Sequence, residues 1–296
     1  HQEKKFIQES FSRYLAPAVI QQIVQNPSML RLGGSRATLS ILFSDVRGFT
    51  TLSETLTPEQ LTAFLNRYLT RMTSIILERR GVIDKYIGDA IMAFWGAPIP
   101  SQTHALDAVT SALAMTTALD AFNEESGASG DPRIDIGIGI NTGDVTVGNM
   151  GSEQRFDYTV MGDAVNLASR LESLTKMYGV RILITEKTKS ALGDEAAHIS
   201  MRNVDCVQVK GKTEGVTIYE VIPPNRMPTW ESIQTDFDQL RNAYARGAWE
   251  EAVALAHTIL TRTPDDGPTK LLAERSAYFQ EHPPEAWNGV YEMKHK

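Results

Sequence analysis

The sequence predicts an α+β fold, a sandwich in which helices cover a mixed sheet. Three observations point there. Apolar runs of strand length interleave with longer runs of helical period. Several of the short runs are joined tightly enough to be hairpins, which argues against the regular strand–helix alternation of a doubly wound parallel sheet. The composition, 42% hydrophobic and 22% charged over 296 residues, is that of a globular chain with one large domain or two smaller ones.

The elements follow in order. Residues 6–24 carry Phe6, Phe11, Leu15, Ile20 and Ile23 at loose helical spacing, with Pro17 dividing the segment. Gly33-Gly34 reads as a turn. Residues 38–45 read as a buried strand ending in Asp45. Thr57-Pro58-Glu59-Gln60 combines a capping box with proline at the first helical position, so a helix is predicted from there to Arg80, closed by Gly81. The apolar runs flanking Gly88-Asp89 predict a hairpin. A helix is expected over 103–123. Pro132 to Gly148 reads as two strands about a turn at Asn141-Thr142-Gly143-Asp144. A helix over 162–177, a strand at 181–184, a helix at 185–192 and strands near 199–209 and 216–222 follow. Pro223-Pro224 marks a boundary. Beyond it Phe237, Leu240, Ala243, Tyr244, Gly247, Trp249 and Ala252 have the spacing of one tetratricopeptide-type helix pair; an array needs about three such units, so an accessory helical tail is expected. The domain reading is 1–36, 37–222 and 223–296.

Several function classes are excluded or disfavoured. Lys+Arg is 29 against Asp+Glu 36, a net charge of −7, which argues against duplex nucleic acid as the partner. The single cysteine, Cys206, allows no internal disulfide and no cysteine-based zinc site. The histidines are scattered without an HExxH pattern. Gly211-Lys212-Thr213 lacks the first glycine of a P-loop, and Gly137, Gly139 and Gly143 miss the dinucleotide spacing. No GxSxG elbow occurs. The stretch 81–100 is too interrupted by Asp84, Lys85 and Asp89 to cross a membrane. The chain begins at His1 rather than Met, so upstream segments, membrane ones included, are expected in a longer protein.

One constellation carries chemistry. Asp45 ends a strand and Asp89 sits at a hairpin tip; if the hairpin pairs beside that strand, the two carboxylates meet at one sheet edge. Paired carboxylates with open positions suit magnesium or manganese and a phosphate substrate, although aspartate is also a common turn residue. Val46-Arg47-Gly48-Phe49-Thr50 follows, and a helical turn opening there would offer free N–H groups to phosphate oxygens. Asn166 and Arg170, four apart, share a helix face. Arginine can stabilise phosphoryl charge and asparagine can orient a hydroxyl, while a solvated face would look the same. Lys85, Lys210 and Lys212 are placed to reach a pocket or solvent.

The blocks FSDVRGFT (43–50), DKYIGDAIMAFWG (84–96), YTVMGDAVNLASRLE (158–172) and VKGKT (209–213) together resemble class III nucleotidyl cyclases over about residues 37–222. FSRYLAPAVIQQIV resembles the coupling helix that precedes many bacterial members, and the tail resembles the end of bacterial cyclases with an extracellular sensor and membrane helices. The resemblance implies a ferredoxin-like α+β core acting as a head-to-tail homodimer, with residues 148–158 as a dimerisation arm. It implies two Mg²⁺ or Mn²⁺ ions per site, held by Asp45, Asp89 and the Val46 carbonyl. Gly48, Phe49 and Thr50 would contact phosphates, and Lys210 rather than Lys212 the triphosphate. Arg170 would be the transition-state arginine, Asn166 the ribose-positioning asparagine, and Lys85 with Thr159 the purine-selecting pair. Asp45 and Asp89 would come from one chain and the remaining side chains from the other. ATP is the implied substrate and 3′,5′-cyclic AMP the product, because Lys85 can donate to an adenine ring acceptor and Thr159 can accept from the exocyclic amine. An upstream sensor domain and a cytoplasmic catalytic portion, membrane-anchored only through upstream segments, are the further expectations. The competing reading is a catalytically inactive cyclase-like module that dimerises or relays a signal.

Overall fold

The computed structural model describes residues 16–209 and 213–293. The first part of the expected coupling helix, Lys210 and Lys212 lie outside the described residues. A nine-stranded sheet, in the order β2-β3-β1-β4-β6-β8-β7-β9 with β5 paired to β4, forms the centre. Its strands are β1 (Gly33–Val46), β2 (Val82–Ile87), β3 (Ala90–Trp95), β4 (Ile136–Gly151), β5 (Phe156–Met161), β6 (Ile182–Thr185), β7 (Met201–Gln208), β8 (Val216–Val221) and β9 (Tyr291–Glu292). The helices are α1 (Pro17–Gln25), α2 (Phe49–Thr55), α3 (Pro58–Glu78), α4 (His104–Ala128), α5 (Asp163–Tyr178), α6 (Glu186–Ala191), α7 (Met227–Ala245), α8 (Trp249–Arg262) and α9 (Gly267–Glu281). Pro17 stands at the first position of α1; the part of the expected segment before residue 16 lies outside the described residues.

Strand alternation sorts the two faces. Leu42, Val46, Ile136, Ile138 and Ile140 point to one side and pack with Phe64, Tyr68, Met72, Ala108 and Met115 of α3 and α4. Leu39, Ile41, Val82 and Phe94 point to the other, with Val160 of β5, Val165 and Ala168 of α5, and Val19 of α1. The capping box is present: the Thr57 hydroxyl accepts from the Gln60 N–H at 3.2 Å, and the Gln60 side chain accepts from the Thr57 N–H at 3.0 Å. At the far end of α3, Arg80 takes the left-handed conformation with φ 64°. Gly81 is required for space instead, since a Cβ there would lie 2.4 Å from Ile76 Cγ2 and 2.8 Å from the Trp95 ring.

Two sequence expectations are corrected. Residues 136–151 are one long strand, not a hairpin turning at Asn141–Asp144. Its polar run is satisfied laterally: the Asn141 amide donates to the Ala164 carbonyl at 2.9 Å and accepts from the Thr185 hydroxyl at 2.7 Å, and Thr142 pairs with Ser40 at 2.7 Å. Gly33-Gly34 is likewise strand, paired with Asn149 and Gly148. There two backbones approach too closely for side chains: a Cβ on Gly148 would lie 2.2 Å from the Gly33 carbonyl oxygen.

Gly137, Gly139 and Gly143, which fit no nucleotide fingerprint, line the β4 face beneath α5. A Cβ on Gly139 would lie 2.2 Å from the Glu172 nitrogen and 2.6 Å from the Ala168 oxygen. In the register of the sheet Gly137, Gly139 and Gly143 pair with Asp45, Phe43 and Leu39 of β1 in that order. The glycine strip is therefore a trough that seats α5 and fixes where its side chains stand.

The tail holds three helices, one more than the pair read from spacing, around Trp230, Phe237, Leu240, Tyr244 and Ile259. Buried charge joins it to β7 and β8. Arg202 makes a bidentate pair with Asp266 at 3.0 and 2.8 Å and also reaches Glu220. Asp205, on a bulge of β7, accepts from Arg275 at 2.6 Å and from the Tyr178 hydroxyl at 2.5 Å. Asp266 also caps α9 through the Thr269 N–H at 3.1 Å. No helix among the described residues is long and apolar enough to cross a membrane.

Candidate active site

The register of the sheet builds the carboxylate pair. β1 runs antiparallel to β3, ending at the Ser44–Ile91 pair, so Asp45 emerges beside the β2–β3 turn. Gly88 supplies that turn's left-handed residue, with φ 64°, and Asp89 follows it. The Val46 N–H then donates to Asp45 Oδ1 at 3.0 Å and to Asp89 Oδ2 at 3.0 Å. One backbone donor thus gathers both carboxylates, as their positions at strand end and hairpin tip predicted.

Electrostatics marks the spot. Burial, the hydrogen bond to Asp89 and the negative charges of Asp89 and Glu172 push the Asp45 carboxyl up to about 7. Glu172, set down by α5, is raised to about 7 by burial, against the lowering effect of Arg47. Tyr68 beneath is raised by burial and by Asp89 and Asp45. Negative charge is crowded here. Among the described residues no three His, Cys, Asp or Glu side chains form a self-sufficient metal cage. Two carboxylates beside a strand-end carbonyl are hard oxygen donors that leave positions for phosphate oxygens and water, the donor set that suits Mg²⁺ or Mn²⁺. The residues present therefore fit such an ion.

After β1 the chain turns sharply. Gly48 is left-handed, φ 67°, and forms the N-cap of α2, which starts at Phe49 and Thr50. The first N–H groups of that turn have no intrahelical acceptors. Arg47 places its hydrogen bonds outside the carboxylate pair, donating to Asp135 Oδ2 at 2.8 Å and to the Val180 carbonyl, while its charge acts on Glu172.

On α5, Asn166 and Arg170 are one turn apart and exposed, as the spacing predicted. Lys85 lies on β2 and Thr159 on β5, which folds over the sheet face carrying Phe94 and Val82. The structure brings these two to a single residue that the sequence reading did not count among the site, Asp84. Its side chain is fully buried; Thr159 Oγ1 donates to its Oδ2 at 2.5 Å, and Lys85 Nζ lies 3.5 Å from its Oδ1. The signal for Asp84 was its place as an acid inside an apolar strand. Glu172 was missed too, although it stands only two positions beyond Arg170.

With this geometry established, comparison with known proteins is direct. Residues 34–222 match the family described as adenylate and guanylate cyclase catalytic domain. The adenylate cyclase of Anabaena cylindrica is 43% identical over 223 residues, covering 74% of this chain and 42% of that protein. The crystal structure of the adenylyl cyclase CyaB from P. aeruginosa superposes with a TM-score of 0.59 at 40% identity, over 66% of this chain and 98% of that one. The guanylyl cyclase Cya2 superposes equally well, TM-score 0.59 and 41% identity, over 65% and 95% of the two chains. The chain belongs to the class III adenylyl and guanylyl cyclase catalytic-domain family. It spans less than half the length of the curated relatives it matches.

Proposed function

We propose that this chain is an adenylate cyclase, converting ATP to 3′,5′-cyclic AMP and pyrophosphate at two equivalent sites of a head-to-tail homodimer. The observation that carries the reading is the gathering of Asp45 and Asp89 at the Val46 N–H. Its nearly equal likeness to an adenylyl and a guanylyl cyclase means that overall similarity does not choose the base, so the choice rests on Lys85 and Thr159.

Asp45, Asp89 and the Val46 carbonyl would hold two Mg²⁺ or Mn²⁺ ions. When bound, they supply Lewis acidity toward the ribose 3′-hydroxyl and the triphosphate. The reaction is an in-line displacement: the 3′-hydroxyl gives up its proton to water, its oxygen bonds to the α-phosphorus, the bond to the bridging oxygen breaks, and pyrophosphate leaves. Arg170 of the second copy stabilises the charge that grows on the α-phosphoryl group. Asn166 holds the ribose so that its hydroxyl attacks in line. The first N–H groups of α2, at Phe49 and Thr50 after Gly48, and Lys210 of the second copy hold phosphate oxygens. Lys85 donates to a ring nitrogen of adenine, and Thr159 accepts from its amine. A two-fold dimer uses each patch twice, so both sites are complete. The catalytic portion is expected to work in the cytoplasm under an upstream sensor.

The test is cyclic nucleotide formation from ATP and GTP with Mg²⁺ or Mn²⁺ over a range of protein concentrations, with Asp45→Ala alongside. Cyclic AMP that rises faster than linearly with protein and vanishes in the variant is the expected result. No cyclic product at concentrations where the dimer is demonstrated would favour a signal-relay module instead.

A further inference from the structure

We infer that Asp84 is the positioning residue that makes the Thr159 hydroxyl an obligate acceptor and thereby selects a 6-aminopurine over a 6-oxopurine. The inference rests on the reading of Lys85 and Thr159 as the purine pair.

A threonine hydroxyl is ambiguous by itself. It has one proton to give and two lone pairs, and it rotates to suit its neighbour. It could accept from the amine of adenine or donate to the carbonyl oxygen of guanine or hypoxanthine. Asp84 removes that freedom. Two donors meet on its carboxyl group: the Thr159 hydroxyl on Oδ2 at 2.5 Å and the Lys85 ammonium 3.5 Å from Oδ1. A group met only by donors acts as an acceptor, so the Thr159 proton is committed to it. The 2.5 Å separation is that of a charge-assisted O–H···O⁻ bond. Burial pushes the Asp84 carboxyl up, while the Thr159 hydroxyl and the Lys85 ammonium pull it down. Neither partner can swing away easily: the Asp84 side chain is fully enclosed and Thr159 is 9% exposed.

With its proton spent, Thr159 offers only lone pairs to a base. An exocyclic amine is met by an acceptor, whereas a carbonyl oxygen at the same carbon is met by like charge. The same carboxylate tethers Lys85, whose ammonium can only donate and so suits an unprotonated ring nitrogen. Residues 74 positions apart in sequence are thus held by one buried group. Replacement by asparagine keeps the shape but allows an amide N–H to face Thr159. The hydroxyl is then free to turn and donate.

The experiment measures kcat/KM for ATP, inosine 5′-triphosphate and purine riboside 5′-triphosphate in the wild type, Asp84→Asn, Asp84→Ser and Thr159→Val. Thermal melts show that each variant is folded, and the serine replacement serves should the amide not fold. The wild type should favour ATP over inosine triphosphate. Asp84→Asn should compress that ratio about tenfold or more, while purine riboside triphosphate, which has no group at that carbon, changes no more than about threefold. A parallel fall on all three nucleotides with the ratio unchanged would overturn the proposal, because that is what structural damage alone produces. Thr159→Val separates the layers. A compressed ratio in Thr159→Val with an unchanged one in Asp84→Asn removes the role of Asp84 alone. An unchanged ratio in Thr159→Val removes Thr159 from the purine pair, and this inference with it, leaving selection to Lys85.

Discussion

At the scale of single residues, the site is held in a state of charge conflict. The Asp45 and Glu172 carboxyls, both raised to about 7 in the folded chain, titrate near 4 when unfolded. Between about pH 4 and 7 the folded protein therefore holds protons that the unfolded chain has lost, and stability falls as pH rises through that window. Asp45→Asn should relieve the conflict. At pH 8 without divalent ions the variant should melt about 2–4 °C above the wild type, the shift that ~1 kcal/mol produces in a domain of this size. The advantage should shrink as pH falls toward 4, and excess Mg²⁺ should raise the wild type and not the variant; calorimetry across pH checks both. Arg170→Ala should act on turnover instead. Loss of a donor aimed at developing charge lowers kcat by ~10²–10³-fold with little change in KM, read from steady-state kinetics on ATP. The metal-type carboxylates and the Asn166–Arg170 face were legible in the sequence because strand ends, hairpin tips and helical spacing are local signals. Asp84 and Glu172 were not, since each gains meaning only from a neighbour distant in the chain.

Among the elements, β4 with α5 is the joint on which the site depends. The glycine trough lets the α5 backbone settle against the strand, and that seating sets Glu172 beside Asp45. Gly139→Ala drives a Cβ into backbone atoms of Glu172 and Ala168, where no flexible side chain can yield. It should cost about 3 kcal/mol, roughly 6–12 °C in Tm, with loss of activity. Gly127→Ala on α4 is the contrast: nothing lies within 4 Å of its Cβ position, and the exposed helix should gain about 0.5–1 kcal/mol. Paired melting curves test both. The helices over 58–78 and 163–178 and the hairpin at Gly88 were legible because caps, period and turn residues agree. The unbroken β4 was not. Asn141, Thr142, Gly143 and Asp144 form a sound turn signal, overridden here by side-chain partners on β1, β6 and α5 that no local window contains. The glycines misled for the same reason: their purpose is the approach of another element.

Taken whole, the molecule is stitched across its layers by buried charge. Asp205 faces the guanidinium groups of Arg275 and Arg241, and Asp205→Ala leaves both without that acceptor in a dry interior. Truncating one member of such a set costs ~3–5 kcal/mol. If the stitching makes catalytic sheet and tail one cooperative unit, urea unfolding should give a single transition. Fluorescence dominated by the tail tryptophans Trp230, Trp249 and Trp287 should then fall together with far-UV circular dichroism, and two separated transitions would contradict this. The tail also ends in β9, laid parallel on the last residues of β7 through the Val207–Tyr291 and Gln208–Glu292 pairs. Its Met293 N–H donates to the Gln208 carbonyl at 3.1 Å. A chain trimmed to residues 34–222 would keep every residue of the proposed chemistry and lose this selvedge. Its raw strand edge would be a template for other raw edges, and raising the protein concentration to drive productive dimers would feed aggregation as well.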